Sequence, residues 1–446
     1  MKPFASSRFP LARTQAAALV TGTAFVGSGI LASCGDAGSD PRPKTGMPQH
    51  GVRDSAGISI AENPRPASDS RLGWTVGTEP LISIGTAEAT QDFQLHGVED
   101  ATRLADGRIV VANGGSNELL VFDTTGQYLA AWGGDGEGPG EFTDLNRVRP
   151  WARDSLIADD PEQGRISAFD LEGNHGWTVS LRSRSGVTGI VASGIQAMRG
   201  MMGLAMSPDV VIGILPDRTL FTRDAEFWRT QGFWRQEHAY ALRTIDGDTR
   251  ASLGKHPGPE TFSGGSETRG NTVYFFPLRH PFGQTTHTTV WGDLAAIGRT
   301  ETYEIKAYRS DGSLARIVRR DYEPRTPTQA EQDVALRRRV ARFAEERRAG
   351  AAEVAANMPL VDAFPAFAGT VGDALGYLWI AEFELPGEEV EGTLWTIFDR
   401  EGRVLGLVET PEGLTIFEIG EDYILAKVTD ALDIEYVRLW RLNRSE

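Results

Sequence analysis

Five acidic or amide residues lie early in successive strand-rich units of this chain, and together they have the composition of a metal site. Carboxylate and amide oxygens are the ligands that hard divalent cations prefer. No spacing between them fixes a ligand geometry, and acidic and amide residues are also common in turns, so both interpretations stay open. The five candidates are Glu99, Asn146, Glu267, Asp373 and Glu421.

The motifs of other catalytic sites are absent from the sequence. The 446-residue chain has one cysteine, Cys34, and seven histidines that are scattered singly. It contains no H-E-x-x-H, no paired C-x-x-C, no G-x-x-x-x-G-K-[ST] and no G-x-S-x-G. With one cysteine no intrachain disulfide can form, so packing must hold the fold. The formal net charge of −16 argues against a nucleic-acid partner, because nucleic-acid recognition needs a basic surface.

A basic segment is the second candidate site. Thr326-Pro327-Thr328-Gln329 predicts the start of a helix, with Thr326 at the N-cap, Pro at N1 and Gln at N3. The predicted helix spans residues 327–350, and arginines dominate the surface outside its apolar face. One hypothesis is a helix that docks a partner. The alternative is an inserted helix packed on an acidic body, because a charge run on a helix is usually a solvated face. The docking candidates are Arg337, Arg338 and Arg342.

Short strands joined by tight turns must position these residues. The stretch Leu104–Phe142 contains two apolar runs, Ile109–Ala112 and Leu119–Phe122, which are too short for helices and are bounded by turn residues. Their nearly continuous apolar character indicates a sheet that is covered on both faces. A blade of a β-propeller is such a sheet, because it lies between two other blades.

The same unit recurs along the chain, and the recurrence carries the fold prediction. A hairpin loop follows an apolar strand at Phe122…Gly126, Phe169…Gly173, Ile245…Gly247, Tyr308…Gly312 and Phe398…Gly402. The expected fold is an all-β, six-bladed β-propeller over residues 55–446, with the helix inserted. Residues 74–84 are expected to complete the last blade, because closure by both ends removes open edges. The other predicted blades are residues 93–132, 142–182, 187–254, 285–319 and 362–408.

The N-terminal segment resembles a bacterial lipoprotein signal peptide, residues 1–33. A basic start and the uncharged stretch Ala16–Ile30 precede Leu31-Ala32-Ser33-Cys34, which resembles the lipobox whose cysteine is lipidated. An ordinary secretory signal with a chance cysteine is the alternative. Gly35, in place of an Asp, favours the outer membrane in an organism that has one. Residues 34–54 are predicted to form a flexible tether, because they are rich in Gly, Pro, Ser and Asp.

Several motifs also resemble a known family. Leu104–Ala112 with Phe122–Gly126 resembles NHL-type repeats, and Gly136–Phe142 and Asp54–Ile58 strengthen the likeness. Together they resemble the bacterial six-bladed β-propeller lipoproteins of the TolB-like, NHL-related group, over most of residues 54–444. The resemblance implies the fold and says little about activity, because propellers host binding modules and enzymes alike. The five polar candidates resemble the metal ring of gluconolactonase-like propellers, in which a divalent metal acts on a lactone carbonyl.

These observations favour a non-catalytic binding or scaffold module in the cell envelope, held at an extracytoplasmic membrane surface by lipidated Cys34. The expected partner is an envelope protein, a peptide or a glycan, and the basic helix could be the contact in a larger assembly. No cofactor and no nucleic acid are expected, and the chain is expected to be a monomer. The alternative function is a divalent-metal-dependent, lactonase-like hydrolase that uses the axial channel.

Overall fold

The computed structural model describes residues 51–85, 93–181, 209–224, 231–269, 272–343, 345–387 and 391–444. The predicted signal peptide, Cys34 and most of the predicted tether therefore lie outside the described residues, as does the first part of the predicted third blade. Contacts divide the chain after Met47, and the description below concerns the second unit, Pro48–Glu446.

The described strands form the six four-stranded blades of a β-propeller. Blade 1 consists of β4 (Val98–Arg103), β5 (Ile109–Asn113), β6 (Glu118–Phe122) and β7 (Tyr128–Gly133). Blade 2 consists of β8 (Arg147–Ala152), β9 (Ser155–Asp160), β10 (Arg165–Asp170) and β11 (His175–Ser180). Blade 3 consists of β12 (Val210–Ile214), β13 (Leu220–Arg223), β15 (Glu237–Arg243) and β16 (Thr249–Pro257).

The remaining blades follow the same antiparallel order. Blade 4 consists of β19 (Thr286–Trp291), β20 (Leu294–Arg299), β21 (Glu304–Tyr308) and β22 (Leu314–Arg320). Blade 5 consists of β23 (Gly369–Gly372), β24 (Leu378–Ala381), β25 (Gly392–Phe398) and β26 (Val404–Pro411). Blade 6 consists of β27 (Thr415–Ile419), β28 (Tyr423–Thr429), β29 (Glu435–Asn443) and β3 (Thr75–Ile84). Strand β3 pairs with β29, so both ends of the chain close the ring, as the sequence pattern predicts.

The first strands of neighbouring blades surround a common axis. Contacts join β4 with β8, β12 with β19, β19 with β23, β23 with β27, and β27 with β4. Apolar side chains fill the seams between blades: Phe122 and Val111 pack with Leu425 between blades 6 and 1, and Phe142 packs with Phe169 between blades 1 and 2. Both faces of each of these sheets are therefore covered, which explains the nearly continuous apolar runs of the sequence.

The alternating strand directions give the propeller two distinct faces. We call one the hairpin face, because it carries the turns that join the first strand to the second and the third strand to the fourth. In the turn Asp123–Gly126 the Gly126 amide donates to the Asp123 carbonyl at 3.1 Å. Gly126 has a φ of 87°, a conformation that glycine adopts at no steric cost. At the opposite face, which we call the helix face, the first strands begin and the fourth strands end.

A strand pair extends blade 4. Strand β2 (Ile58–Asn63) pairs in parallel with β22, and β1 (Gly51–Ser55) pairs antiparallel with β2. In the turn between them the Asp54 carboxylate accepts a hydrogen bond from the Gly57 amide at 3.2 Å. The prediction that the tether extends to residue 54 is therefore corrected, because strand pairing begins at Gly51.

A second addition lies on the helix face. It contains the three-stranded sheet β14 (Gly232–Trp234), β17 (Thr261–Arg269) and β18 (Thr272–Arg279), with the helices α1 (Gln329–Ala341) and α2 (Glu345–Ala356). The sequence pattern indicated one helix over residues 327–350, and the structure has two. The first begins two residues later than predicted, because the side chain of Thr328 forms the N-cap. Its hydroxyl accepts from the Glu331 amide at 3.3 Å, and the Glu331 carboxylate accepts from the Thr328 amide at 2.7 Å.

Candidate functional site

The structure does not bring the five predicted channel residues together. Glu99 and Asn146 lie at the helix-face ends of β4 and β8, while Asp373 and Glu421 lie in turns of the hairpin face. Glu267 belongs to β17, outside the blades, and its side chain lies outside the described residues. Within the described residues no group of three or more His, Cys, Asp or Glu side chains could hold a metal ion. The predicted ligand ring is therefore not formed by these positions.

Asp373 serves the turn between β23 and β24. Its buried carboxylate accepts hydrogen bonds from the amides of Leu375 and Tyr377, at 3.0 and 2.8 Å. It also accepts from the indole of Trp379 at 3.0 Å and forms an ion pair with Arg444 at 2.8 Å. Burial raises the pKa of this carboxyl. Its oxygens are engaged within the fold, so Asp373 has the turn role that acidic residues often have.

A β-bulge lies at Glu99, at the start of β4. The register between β4 and β5 shifts between Val98 and Asp100, so both of these residues are buried and Glu99 is exposed between them. Asp100 takes the inward position instead. Its carboxylate accepts from the Val148 amide at 3.1 Å and forms an ion pair with Arg149. Nothing in the sequence alternation marks the bulge, and Asp100 was missed for that reason.

A second buried carboxylate lies next to this pair. Asp159 on β9 is opposite Arg147 on β8, is 4% exposed, and neither of its carboxylate oxygens makes a hydrogen bond. Burial raises the pKa of Asp159 to about 7; the Arg147 charge opposes this shift and the Asp100 charge adds to it. We call Asp100, Arg147, Arg149 and Asp159 the axial cluster. The Asp159 oxygens are closed to solvent, so this carboxyl is not placed to contact a substrate.

The helix α1 is fixed to the propeller by a buried polar contact. Gln332 is fully buried, and its carbonyl oxygen lies 2.9 Å from Nε2 of His280, while its amide donates to the Met358 carbonyl at 3.1 Å. Nδ1 of His280 accepts from the Phe282 amide at 3.0 Å, so Nε2 is the ring nitrogen that carries the proton. Burial lowers the pKa of His280 and keeps the ring neutral. This contact holds the side of α1 that carries Gln332 and Leu336 inward, and Arg339, seven residues after Gln332, lies half-buried on the same side.

A cavity of about 580 Å³ lies between α1 and the loop that follows β24. We call it the arginine pocket, because three arginines of α1 line it together with an apolar wall. Phe282 in the wall packs against Phe364 and Phe383, with ring centroids 4.7 and 6.2 Å apart. Glu384 also lines the cavity. The full lining is Pro281, Phe282, Val334, Ala335, Arg338, Arg339, Arg342, Phe343, Phe383, Glu384, Leu385, Pro386 and Gly387.

The three arginines of the pocket form no ion pair with any residue that the structure describes. In the described part of the chain, the guanidinium groups of Arg338, Arg339 and Arg342 form no hydrogen bond and no ion pair. Burial lowers the pKa of Arg339, and the neighbouring charges of Arg279 and Arg342 lower it further. Like charges are thus held together at the surface of an acidic protein. Two of the predicted docking residues, Arg338 and Arg342, line the pocket, whereas Arg337 does not.

Sequence reasoning missed the other half of the pocket. Arg339 repeats the charge signal of its neighbours, but Phe282 and Phe383 come from loops more than 40 positions away along the chain, and no local pattern links them to α1. The position of α1 decides which arginines point into the cavity, and that position depends on the buried Gln332.

A second cavity, of about 760 Å³, lies beside blade 4 on the same face. Its charged groups are largely paired with one another. Arg319 donates to Glu304 at 2.6 Å and to Glu62 at 2.9 Å, and Lys306 lies 3.4 Å from Glu304. The pairing leaves less unsatisfied charge here than in the arginine pocket, so the arginine pocket is the better candidate site.

Comparisons with known proteins agree with the fold. A family model, DUF5128, described as a six-bladed β-propeller, matches residues 88–178, which hold blade 1 and most of blade 2. No match was found among the curated proteins. No described helix is both long enough and apolar enough to cross a membrane.

Similar solved structures include three propellers of low sequence identity. A candidate exported protein from Bacteroides fragilis has 10% identity and a TM-score of 0.45, with 87% of this chain and 100% of that chain covered. A DUF4221 member from Bacteroides vulgatus has 8% identity and a TM-score of 0.45, covering 83% and 99%. A gluconolactonase from Xanthomonas campestris has 12% identity and a TM-score of 0.37, covering 88% and 100%. None of these likenesses carries an argument about function.

Proposed function

We propose that this chain is a non-catalytic binding module of the cell envelope, and that it holds an acidic protein or peptide in the arginine pocket. Lipidation of Cys34 would keep it at an extracytoplasmic membrane surface. The observation that carries the proposal is a set of three arginines that form no ion pair with any described residue and that line a cavity with an apolar wall, in a chain of net charge −16.

The chemistry of the pocket supports this partner class. A guanidinium group recognises a carboxylate through two parallel hydrogen bonds, and such bonds are among the strong ones in proteins. Arginine and aromatic side chains are also enriched in protein interfaces. A partner with a carboxylate next to a large apolar side chain would pair with the arginines and cover the wall formed by Phe282 and Phe383.

Peptide binding by the pocket can be tested with defined probes. Fluorescein-labelled peptides that combine Glu with Phe or Leu would be titrated with the protein and followed by anisotropy. We expect the triple variant R338Q/R339Q/R342Q to bind at least ten-fold more weakly than the wild type. The matched control R337Q/R347Q removes two exposed arginines outside the pocket and should bind like the wild type. Equal binding by both variants, or no binding of any acidic peptide, would contradict the proposal.

Anchoring through Cys34 has its own test. Cells producing the full chain would be grown with a labelled fatty acid and separated into soluble and membrane fractions. We expect the wild type to be labelled and found with membranes, and Cys34→Ser to be unlabelled and soluble. A soluble, unlabelled wild-type chain would argue for an ordinary secretory signal.

The hydrolase alternative remains a prediction, because the described residues supply no ligand set for it. Elemental mass spectrometry of the purified chain, with thermal shifts in Ca²⁺, Mg²⁺, Mn²⁺ and Zn²⁺, separates the two functions. A stoichiometric metal whose removal by a chelator lowers the melting temperature would favour the hydrolase.

A further inference from the structure

The N-terminal segment joins the propeller on the same face as the arginine pocket. Strand β2 runs parallel to β22 and pairs Asn63 with Arg320, so both strands end at the helix face. Strand β1 runs in the opposite direction, and its first residue, Gly51, pairs with Glu62. The chain therefore enters blade 4 at the helix-face end of its outer edge.

The topology places the pocket at this same end. Its lining comes from α1, which follows the end of β22, from the loop before β19, and from the loop after β24. In every blade the first strand begins at the helix face, and the second and fourth strands end there. The start of β19 and the ends of β24 and β22 therefore all lie at the helix face. The entry point of the chain and the arginine pocket thus share one face by strand direction alone.

The length of the connecting segment favours one orientation of the propeller, because presenting the hairpin face would take up about 23 Å of its reach. Residues 35–50 are 16 residues, which span about 55 Å at full extension and about 22 Å as a flexible coil. Strand β22 has 7 residues and is itself about 23 Å long. To present the hairpin face to the membrane, the segment would have to run back along the whole blade. When the helix face is turned to the membrane, the segment can connect Gly51 to the anchor directly, because the chain enters blade 4 at that face.

We infer that the helix face is turned toward the membrane that holds the lipid anchor, and that the arginine pocket takes an acidic segment of a second membrane-bound protein close to that surface. The inference rests on the proposed function, because it needs both the anchor and the pocket. Two proteins anchored in one membrane meet at a high effective concentration, so a pocket of modest affinity is sufficient.

A protein segment fits the pocket better than the lipid surface does. The three arginines lie in a cleft between a helix and a loop, and Glu384 is part of the same lining. A flat anionic bilayer does not enter such a cleft, and it would also meet the like charge of Glu384. A narrow acidic segment would meet only the arginines and the apolar wall.

The orientation can be measured by energy transfer in vesicles. Once Cys34 is lipidated, one introduced cysteine is the only free thiol of the full chain. A donor dye would be placed at Ala352→Cys on α2, or at Glu401→Cys in a hairpin-face turn of blade 5, and neutral vesicles would carry an acceptor lipid. We expect at least two-fold higher transfer from position 352. Equal transfer, or higher transfer from position 401, would overturn the inference.

Failure of the anchor can be told apart from failure of the orientation. If the full chain does not float with vesicles, the proposed lipidation is wrong. The orientation would then be measured on the chain with a hexahistidine tag in place of residues 1–34, bound to nickel-chelating lipids. Unequal transfer in favour of position 352 would still support the orientation.

The partner class has a separate readout. A Glu- and Phe-containing peptide would be attached to neutral vesicles by a short lipid linker and mixed with the vesicle-bound chain. We expect at least ten-fold tighter association than with the free peptide, lost in R338Q/R339Q/R342Q and kept in R337Q/R347Q. The soluble Cys34→Ser chain would also be mixed with phosphatidylglycerol vesicles. If it binds them, and if R338Q/R339Q/R342Q abolishes this binding, the occupant of the pocket is a lipid headgroup and the proposed protein partner is wrong.

Discussion

Two sets of arginines on the helix face differ in how their charge is satisfied. Arg320, at the end of β22, has a side chain that is 2% exposed and forms an ion pair with Glu382. It also donates to the Thr396 hydroxyl at 2.9 Å and stacks over the Tyr303 ring at 3.8 Å. Arg338 and its neighbours in the arginine pocket have no such partners within the described chain. A guanidinium group buried at a blade seam is satisfied by contacts within the fold, whereas those of the pocket form no ion pair with any described residue.

Breaking the Arg320 contact should have the largest effect. In Glu382→Gln the Arg320 charge stays buried without its carboxylate, and removing one partner of a buried pair typically costs about 3–5 kcal/mol. We expect a loss of this size in the free energy of unfolding, measured by urea titration. Glu384→Gln, two residues away and exposed, should change it by less than about 0.5 kcal/mol. Equal losses would show that the pair does not hold the seam.

The axial cluster should make stability depend on pH. The pKa of Asp159 is raised to about 7, so the folded state binds this proton more tightly than the unfolded state does. The stabilisation is complete below the unfolded value near 4 and is lost as pH rises to about 7. We expect the wild type to lose roughly 2–4 kcal/mol more than Asp159→Asn between pH 4 and pH 8. Parallel stability curves for the two proteins would contradict this assignment.

Removing the N-cap of α1 should destabilise the protein less than the two changes above. Thr328→Ala removes the hydroxyl that caps the helix, and loss of such a cap costs about 1 kcal/mol. Thr326, which the sequence pattern places at the cap, is exposed and makes no capping contact. Thr326→Ala is therefore the matched control and should be neutral. Hydrogen exchange of the α1 amides would compare the two, and faster exchange only in Thr328→Ala is expected.

The pocket arginines should contribute least to stability. Arg338 and Arg342 are four residues apart on one helix, where like charges destabilise by about 0.2–0.5 kcal/mol. R338Q/R339Q/R342Q should therefore unfold at the same or slightly higher urea concentration while losing acidic peptides. A marked loss of stability would mean that the fold itself uses these charges, and the contrast with Arg320 would no longer hold.

The fold follows from the sequence more closely than the site does. Recurring strands and Asp…Gly turns predict the blades. Residues 74–84 look like the last strand of a blade whose other strands do not precede them, and this predicts a sixth blade that is completed by strands from the C-terminal end. The three-stranded sheet with β17 could not be predicted in this way, because it lies outside the repeat. For the same reason Glu267 looks like a blade residue in the sequence and is not one.

The candidate site depends on distant contacts that local patterns do not show. Asp373 and Glu421 follow first strands in sequence, yet a position after a first strand lies on the hairpin face, opposite Glu99 and Asn146. The sequence also does not show that Glu99 is exposed at a one-residue bulge and that the buried carboxylate beside it belongs to Asp100. The arginines of α1 were visible as a charge run, but the contacts that set the position of the helix, such as that between Gln332 and His280 and the packing of Leu336 on Leu278, join residues far apart in the sequence.

The strand pair β1–β2 also affects how the molecule would respond to force. It lies between the N-terminal segment and β3, the strand that closes the ring. Tension on a lipid anchor would reach the pairing of β2 with β22 in blade 4 before it reached the pairing of β3 with β29. The strand pair β1–β2 would therefore separate from β22 before the force reached β3. The ring would stay closed, because the pairing of β3 with β29 would still be intact.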